Sequence, residues 1–120
     1  MKVAITAQGS QLTDAVDQRF GRTRFLVIVD SVGCEYTVHD NVVNQNAAQG
    51  AGIQTARNIV ELGAEAVITG NVGPNAFKTL SAAGVCIYLT GPQTVQEALE
   101  AFKNGTLKEV SSANVEGHWG

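Results

Sequence analysis

The amino-acid sequence predicts one α/β domain with three layers, in which helices cover both faces of a mixed, five-stranded sheet. The chain has 120 residues, of which 44% are apolar and 16% are charged. This composition suits one globular domain and excludes a disordered chain or a coiled coil. Three strand-like segments come first, and helices then alternate with two further strands. Such strand–helix–strand units form right-handed crossovers between parallel strands.

Three strands are predicted within the first 40 residues. Residues 2–6 (KVAIT) are rich in β-branched side chains, which strands favour. Residues 24–30 (RFLVIVD) are apolar through their middle, so we expect a central strand that is covered on both faces. Residues 35–40 (EYTVHD) alternate, and a tight turn at 31–34 makes them antiparallel to the preceding strand. Residues 8–23 form a long polar connection without a sustained helical period.

Helices and strands alternate after a loop at residues 41–49 that is rich in Asn and Gln. The clearest helix follows a T-x-x-E capping box, Thr94 to Glu97, and has apolar residues spaced i, i+3, i+4 and i+7. Proline is favoured at the first position of a helix, so Pro74 predicts where the preceding helix begins. The predicted elements are a helix from about Gly52 to Leu62, a strand at Ala66–Thr69, a helix from Pro74 to about Ala83, a strand at Val85–Leu89 and a helix that Gly105 ends.

The predicted topology brings four loops to one edge of the sheet. A sheet order of 3-2-1-4-5 with strand 2 antiparallel places the ends of strands 1, 3, 4 and 5 on the same side, where α/β sheets bind ligands. Two loops lead into helix N-termini, near Gly52 and Pro74, and such termini attract anions. Arg19 and Arg22 lie on the first loop, so we expect an anion site here. In the alternative interpretation, these glycines and asparagines only form turns. The converging loops are 7–23, 41–51, 70–73 and 90–93.

Charge and cysteine content bound the partners and the compartment. The net charge of −3 argues against nucleic acid as the main partner. No apolar run approaches the length of a membrane helix, and the N-terminus lacks signal-peptide features, so we expect a cytoplasmic domain with reduced thiols. Cys34 lies in the turn at the opposite edge, and Cys86 is expected to be buried or helix-facing inside the last strand, so the two do not pair. Residues 1–107 form the predicted domain, and residues 108–120 form a polar tail.

The sequence does not support dinucleotide binding, nuclease activity or general-base catalysis. Residues 50–55 (GAGIQT) nearly match a dinucleotide-binding fingerprint, but Thr55 replaces its third glycine and no carboxylate ends the next strand. The sheet order matches ribonuclease H-like folds, whose two-metal chemistry needs clustered carboxylates that strands 1 and 4 lack. His39 is the one candidate general base near the loops, and it has no evident orienting partner. An enzyme that acts on a small anionic substrate is therefore the weakest of the functional hypotheses, and we expect no enzymatic activity and no directly coordinated metal.

Residues 17–22 (DQRFGR), followed by the strand FLVIVD, resemble the first motif of the dinitrogenase iron–molybdenum cofactor biosynthesis family. This NifX-like group includes the C-terminal region of NifB-type proteins and the orange proteins of sulfate reducers. Further matches follow in order, from the loop and Gly-x-Gly before the first helix through VITGNVGPNAF and GVCIYLTG to the last helix. The resemblance covers residues 2 to about 107.

The resemblance implies the same mixed-sheet fold and a carrier that holds or escorts a metal–sulfur cluster or its precursor. In orange proteins, the cluster is a molybdenum–copper sulfide held without covalent attachment. Such clusters are anionic, which fits the predicted anion site. We therefore expect non-covalent binding of an iron–molybdenum or molybdenum–copper type cluster. The predicted cofactor-binding residues are Gly9, Arg19, Arg22, His39, Asn44, Gly50, Gly52, Asn71 and Gly73.

One departure from the family pattern leaves an alternative open. Cofactor-carrying members often place a His or Cys in or near the loop after strand 3, but residues 41–50 contain neither. This favours outer-sphere anion binding or no cofactor at all. The alternative function is a metal-free protein-interaction or regulatory module that uses the same edge. A protein that donates or accepts the cofactor is an expected partner.

Overall fold

A computed structural model describes residues 1–32, 35–47 and 49–113 of the chain. These residues form six strands and four helices. In chain order the elements are β1 (Lys2–Ala7), β2 (Phe25–Asp30), β3 (Tyr36–Asp40), α1 (Val42–Gln45), α2 (Ala51–Glu61), β4 (Ala66–Thr69), α3 (Pro74–Ala82), β5 (Cys86–Leu89), α4 (Val95–Lys103) and β6 (Lys108–Glu109).

All six strands form one mixed sheet with the order β3-β2-β1-β4-β5-β6. Strand β2 is antiparallel to both β1 and β3, whereas β1, β4 and β5 run parallel to one another. The predicted order of 3-2-1-4-5 with an antiparallel second strand is therefore confirmed. The carboxyl ends of β1, β3, β4 and β5 consequently lie at the same edge, which we call the carboxyl edge.

Two apolar clusters pack against the two faces of the sheet. Alternate residues of β1 separate between them, since Ala4 faces α2 and α3 whereas Ile5 faces α4. This explains why β1 is buried almost throughout and lacks a polar face. The predicted three-layer arrangement is confirmed. The largest fully buried side chains of the first cluster are Phe20, Leu26, Ile59, Val67, Leu80 and Ile87, and those of the second include Val3, Ile5, Val16, Val27, Val29 and Ile68.

The loop predicted at residues 41–49 contains a short helix, α1. The carboxylate of Asp40 accepts a hydrogen bond from the backbone N–H of Val42 at 2.8 Å and lies 2.6 Å from the guanidinium of Arg24. The Val42 bond and then Arg24 lower the pKa of Asp40 below its usual value. A four-residue helix has too few positions to show a helical period, so the sequence pattern did not reveal it.

The sheet has six strands, so the prediction of five is wrong by one. Lys108 and Glu109 pair antiparallel with β5, and the backbone N–H of Val110 donates to the carbonyl of Ile87 at 2.9 Å. A two-residue strand shows no alternation, which is why it is invisible in the sequence. The sheet thus continues just beyond residue 107, and the division into domain and tail stays a prediction.

The structure also corrects the placement of one cysteine. Cys86 is exposed, although we expected it to be buried or helix-facing. It is the first residue of β5 and borders an open groove with Phe77, Ser81 and Val110. Alternation along a strand indicates which face a residue takes but does not indicate how far that face is covered. Cys34 lies outside the described residues, as does part of the predicted 31–34 turn. No helix in the described part of the chain is long and apolar enough to cross a membrane.

Candidate functional site

The first loop, residues 8–24, runs along the carboxyl edge and contacts the other three predicted loops. At its middle, the backbone N–H of Val16 donates to the carbonyl of Gln93 at 2.9 Å. Further along, Phe20 N–H donates to the carbonyl of Asn71 at 3.2 Å. Near its end, Arg22 donates to the carbonyl of Gln45. The predicted convergence of the four loops is therefore present in the fold.

The middle of this loop fills the crevice between β1 and β4. Val16 is buried on the α4 side and Phe20 on the opposite side, so the residues between them cross the top of the sheet. The hydroxyl of Thr6 donates to the Asp17 carbonyl at 2.7 Å. A Cβ on Gly70 would lie 2.6 Å from the Cα of Gln18, so only glycine permits this close approach. Ligands of α/β sheets commonly occupy such a crevice. Because the first loop fills it in this protein, a ligand at the carboxyl edge must bind beside the loop.

The N-termini of α2 and α3 carry no side-chain cap. Gly50 precedes α2 with a φ of 77°, and Gly73 precedes α3 with Pro74 at the first helical position. Neither helix has an acidic residue in its first turn. The first N–H groups of a helix have no partner within the helix and concentrate its positive potential. Both termini are therefore suited to hold an anion.

Arg19 lies beside the loop that leads into α3. It forms a bridge with Asn71, and the Asn71 side chain donates to the Gln18 carbonyl at 2.9 Å. The Arg19 side chain is 51% exposed, and its Nε lies 3.9 Å from a carboxylate oxygen of buried Asp17. That same oxygen accepts the backbone N–H of Arg19 at 3.1 Å. Asp17 thus orients an exposed guanidinium, and we call Arg19 together with the α2 and α3 N-termini the open side of the edge.

Arg22 has a structural contact at the site. Its Nη1 donates to the carbonyls of Gln45 at 3.1 Å and Ala47 at 2.5 Å, so the guanidinium satisfies the C-terminal end of α1. A guanidinium carries five N–H groups, so these two bonds do not exhaust it. Arg22 therefore tethers α1 to the first loop.

A buried polar network supports the start of α2. Asn44 donates to the side-chain oxygen of Asn41 at 2.9 Å, and Asn41 donates to the hydroxyl of Thr55 at 3.2 Å. That hydroxyl in turn donates to the carbonyl of Gly21 at 3.2 Å. Asn44, predicted to bind the cofactor, is buried within this network and donates to Asn41. The sequence analysis missed Asn41 and Thr55, whose only signals were an Asn after a strand and a Thr on an apolar helix face.

Two predicted site residues lie away from the open side. Gly9 packs against Asp14, whose carbonyl accepts a hydrogen bond from the start of α4. His39 contacts the Thr37 hydroxyl through Nε2 at 3.1 Å and borders a groove of about 400 Å³ with Asn58 and Glu61 of α2. The alternation of β3 turns His39 toward the C-terminal half of α2, whereas the candidate site lies at its N-terminus. Gly50, Asn71 and Gly73 lie in the loops that enter α2 and α3, and Gly52 is the buried second residue of α2.

The donor set fits an anionic group held by hydrogen bonds and charge. The open side offers a guanidinium and helix N-terminal amides, and the nearby Nε2 of Gln18 is buried without a hydrogen-bond partner among the described residues. Within residues 1–32, 35–47 and 49–113, no three His, Cys, Asp or Glu side chains are grouped so that they could hold a metal ion. The donors at the open side therefore suit an anion that is held by hydrogen bonds and charge.

Comparison with known proteins identifies similar chains. A family model described as dinitrogenase iron–molybdenum cofactor matches residues 1–105. The structure of the apo orange protein from Desulfovibrio gigas is 37% identical, has a TM-score of 0.90, and the match covers 95% of this chain and 96% of that one. A Thermotoga protein assigned to NifB is 39% identical with a TM-score of 0.84, covering 97% and 98% of the two chains. An uncharacterized protein of Methanocaldococcus jannaschii is 26% identical over 91% of each chain.

Proposed function

Because this chain belongs to the dinitrogenase iron–molybdenum cofactor family, we propose that it is a small, non-enzymatic carrier of an anionic metal–sulfur cluster or its precursor. The cluster is cargo, and this chain binds it without a covalent bond. It is of the iron–molybdenum or molybdenum–copper type. We also propose that the carrier works in the cytoplasm and exchanges its cargo with a cofactor-donating or cofactor-accepting protein.

The observation that carries this proposal is the pair of uncapped helix N-termini at the carboxyl edge, together with Arg19 beside the loop that enters α3. A sulfide-rich cluster presents several acceptor atoms and a negative charge over its whole surface. Backbone N–H groups at the starts of α2 and α3 and the exposed Arg19 guanidinium supply donors and positive potential at one edge. Binding of this kind is reversible, which suits a protein that must release its cargo.

The direct test is a charge reversal at Arg19. Arg19→Glu should weaken binding of tetrathiomolybdate, with or without copper(I), by about tenfold or more, because a charge-assisted contact is lost and a repulsive carboxylate is gained. An anaerobic absorption titration measures the affinity. Arg57→Glu is the matched control, because Arg57 is exposed on α2 away from its N-terminus and the change in net charge is the same.

Two outcomes would contradict this assignment. Equal weakening by Arg19→Glu and Arg57→Glu would show that only net charge matters. Unchanged affinity in Arg19→Glu would show that the cargo binds elsewhere. Arg22→Glu is a less specific variant because it also removes the contact with α1.

A second candidate function is a metal-free protein-interaction module that uses the same edge. The observation that favours it is Val43 of α1, which is 81% exposed beside the candidate site. On this alternative, a metal-free preparation binds a protein partner stoichiometrically. Val43→Asp should abolish that complex, while Arg19→Glu should leave it intact. If the protein is a carrier, Arg19→Glu should weaken cluster binding, whereas Val43→Asp should leave it unchanged.

A further inference from the structure

The side-chain amide of Gln18 is an anomaly at the candidate site. Its Nε2 is buried and has no hydrogen-bond partner among the residues that the structure describes. Folded proteins pair nearly all buried polar atoms, because an unpaired donor has lost its hydration without compensation. An apolar side chain of the same shape at this position should therefore make the free protein more stable.

The position of Gln18 places this amide next to the open side. Gln18 lies between Asp17 and Arg19, packs directly on Gly70, and accepts the Asn71 side chain at its carbonyl. The loop that begins with Gly70 leads into the uncapped N-terminus of α3. The residue as a whole is only partly buried, so one side of it faces solvent. A rotation of its side chain would bring the amide from the crevice to the surface beside Arg19.

This inference rests on the proposed function: we infer that Gln18 is a further cargo-binding residue, which turns outward and donates Nε2–H to the anion. The bound anion supplies an acceptor that the described residues do not supply, so part of the binding energy comes from pairing this buried donor. A neutral donor of this kind recognises acceptor atoms at the periphery of the ligand. It therefore favours oxo- or thio-anions, whose outer atoms accept hydrogen bonds.

The test exploits opposite effects on stability and affinity. Gln18→Met keeps the length of the side chain and removes the buried donor. We expect its thermal midpoint to rise, and its affinity for tetrathiomolybdate to fall by about three- to tenfold, the usual effect of one lost hydrogen bond. Gln11→Met is the matched control, because Gln11 is an exposed residue of the same loop and should change neither quantity. A purely structural Gln18 would give a lower or equal midpoint and unchanged affinity.

The outcomes separate this inference from the proposed function. If the wild type binds the probe and Gln18→Met binds equally well, the role of Gln18 is overturned and the carrier function stands. If the wild type fails to bind, the carrier function falls and the role of Gln18 falls with it. The side-chain NH₂ signals of Gln18 in wild-type ¹⁵N spectra provide a measurement that needs no variant. They should shift during the titration, and constant signals alongside bound probe would overturn the inference.

Discussion

The N-terminus of α4 and those of α2 and α3 lie at the same edge of the sheet but use their N–H groups differently. At α4, Val95 donates to the carbonyl of Asp14 at 2.9 Å and Gln96 to that of Leu12 at 2.9 Å. Glu97 N–H donates to the Thr94 hydroxyl at 3.1 Å, and the Glu97 carboxylate accepts the Thr94 N–H at 2.9 Å. The first loop and a capping box thus close this helix, whereas α2 and α3 have glycine N-caps without side-chain bonds.

Because of this difference, one edge of the sheet both stabilises the fold and offers a candidate binding site. A good N-cap adds about 1 kcal/mol to the free energy of unfolding relative to a residue that cannot cap. At α4 the chain takes this stabilisation. At α2 and α3 no side chain caps the first N–H groups, and Arg19 of the first loop lies beside the loop that enters α3. We conclude that α4 anchors the first loop, whereas the open side is where we propose that the cargo binds.

The largest expected effect comes from releasing the first loop on the open side. Phe20 is fully buried between the sheet and the α2–α3 layer. Phe20→Ala should lower the free energy of unfolding by about 3–5 kcal/mol through lost burial and a cavity. Urea denaturation measures this loss. Binding should weaken as well, because Phe20 holds the adjacent Arg19 in place.

Val16→Ala is the counterpart on the α4 side of the same loop. Val16 is buried in the other cluster, so the truncation should destabilise the protein less than Phe20→Ala does. Under conditions where both variants are folded, cargo affinity should fall in Phe20→Ala and stay near the wild-type value in Val16→Ala. Equal losses of affinity would contradict the division of the edge into two functions.

Removing the cap of α4 should affect stability alone. Thr94→Ala deletes the hydroxyl that accepts the Glu97 N–H, which should lower the free energy of unfolding by about 1 kcal/mol. Thermal unfolding at neutral pH measures this effect. Cargo affinity should stay unchanged, because the α4 N-terminus lies outside the open side. A large loss of affinity in Thr94→Ala would place the cargo at α4.

The capping box also makes a prediction about pH. The Thr94 backbone N–H donates to Glu97 and, as the main cause, holds the pKa of Glu97 below its usual value. A lowered pKa in the folded state stabilises the protein above the unfolded-state pKa, and this stabilisation is lost as pH falls through the folded-state pKa. Glu97→Gln should therefore show a smaller loss of stability in acid than the wild type does. An identical acid profile would contradict this role for Glu97.

The smallest expected stability effect would make α3 resemble α4. Asn75 is exposed at the second position of α3, and Asn75→Asp adds a carboxylate there without changing the side-chain shape. Stability should rise by about 0.3–1 kcal/mol through the helix dipole, while affinity for the anionic cargo should fall. Gln96→Glu, at the matching position of α4, should stabilise similarly and leave affinity unchanged. A loss of affinity in both variants would indicate general charge repulsion.

The sequence predicts the elements of this fold better than the details of its site. Long apolar strands and a capping box carry their signal locally, so the sheet order and the start of α4 could be predicted. The α1 helix and β6 are too short to show a period. The direction of His39, the tether from Arg22 to α1 and the network through Asn41 and Thr55 depend on contacts between distant segments, which sequence spacing does not encode.

We propose that anionic cargo binds at the open side and not at the α4 N-terminus. An anaerobic NMR titration with tetrathiomolybdate, with and without copper(I), tests it most directly by following backbone amides. We expect chemical-shift changes in three groups of amides only: Arg19 with its chain neighbours, residues 50–53, and residues 71–76. The amides of Val95 and Gln96 should not shift. Shifts centred on the start of α4, or none at millimolar probe, would contradict it.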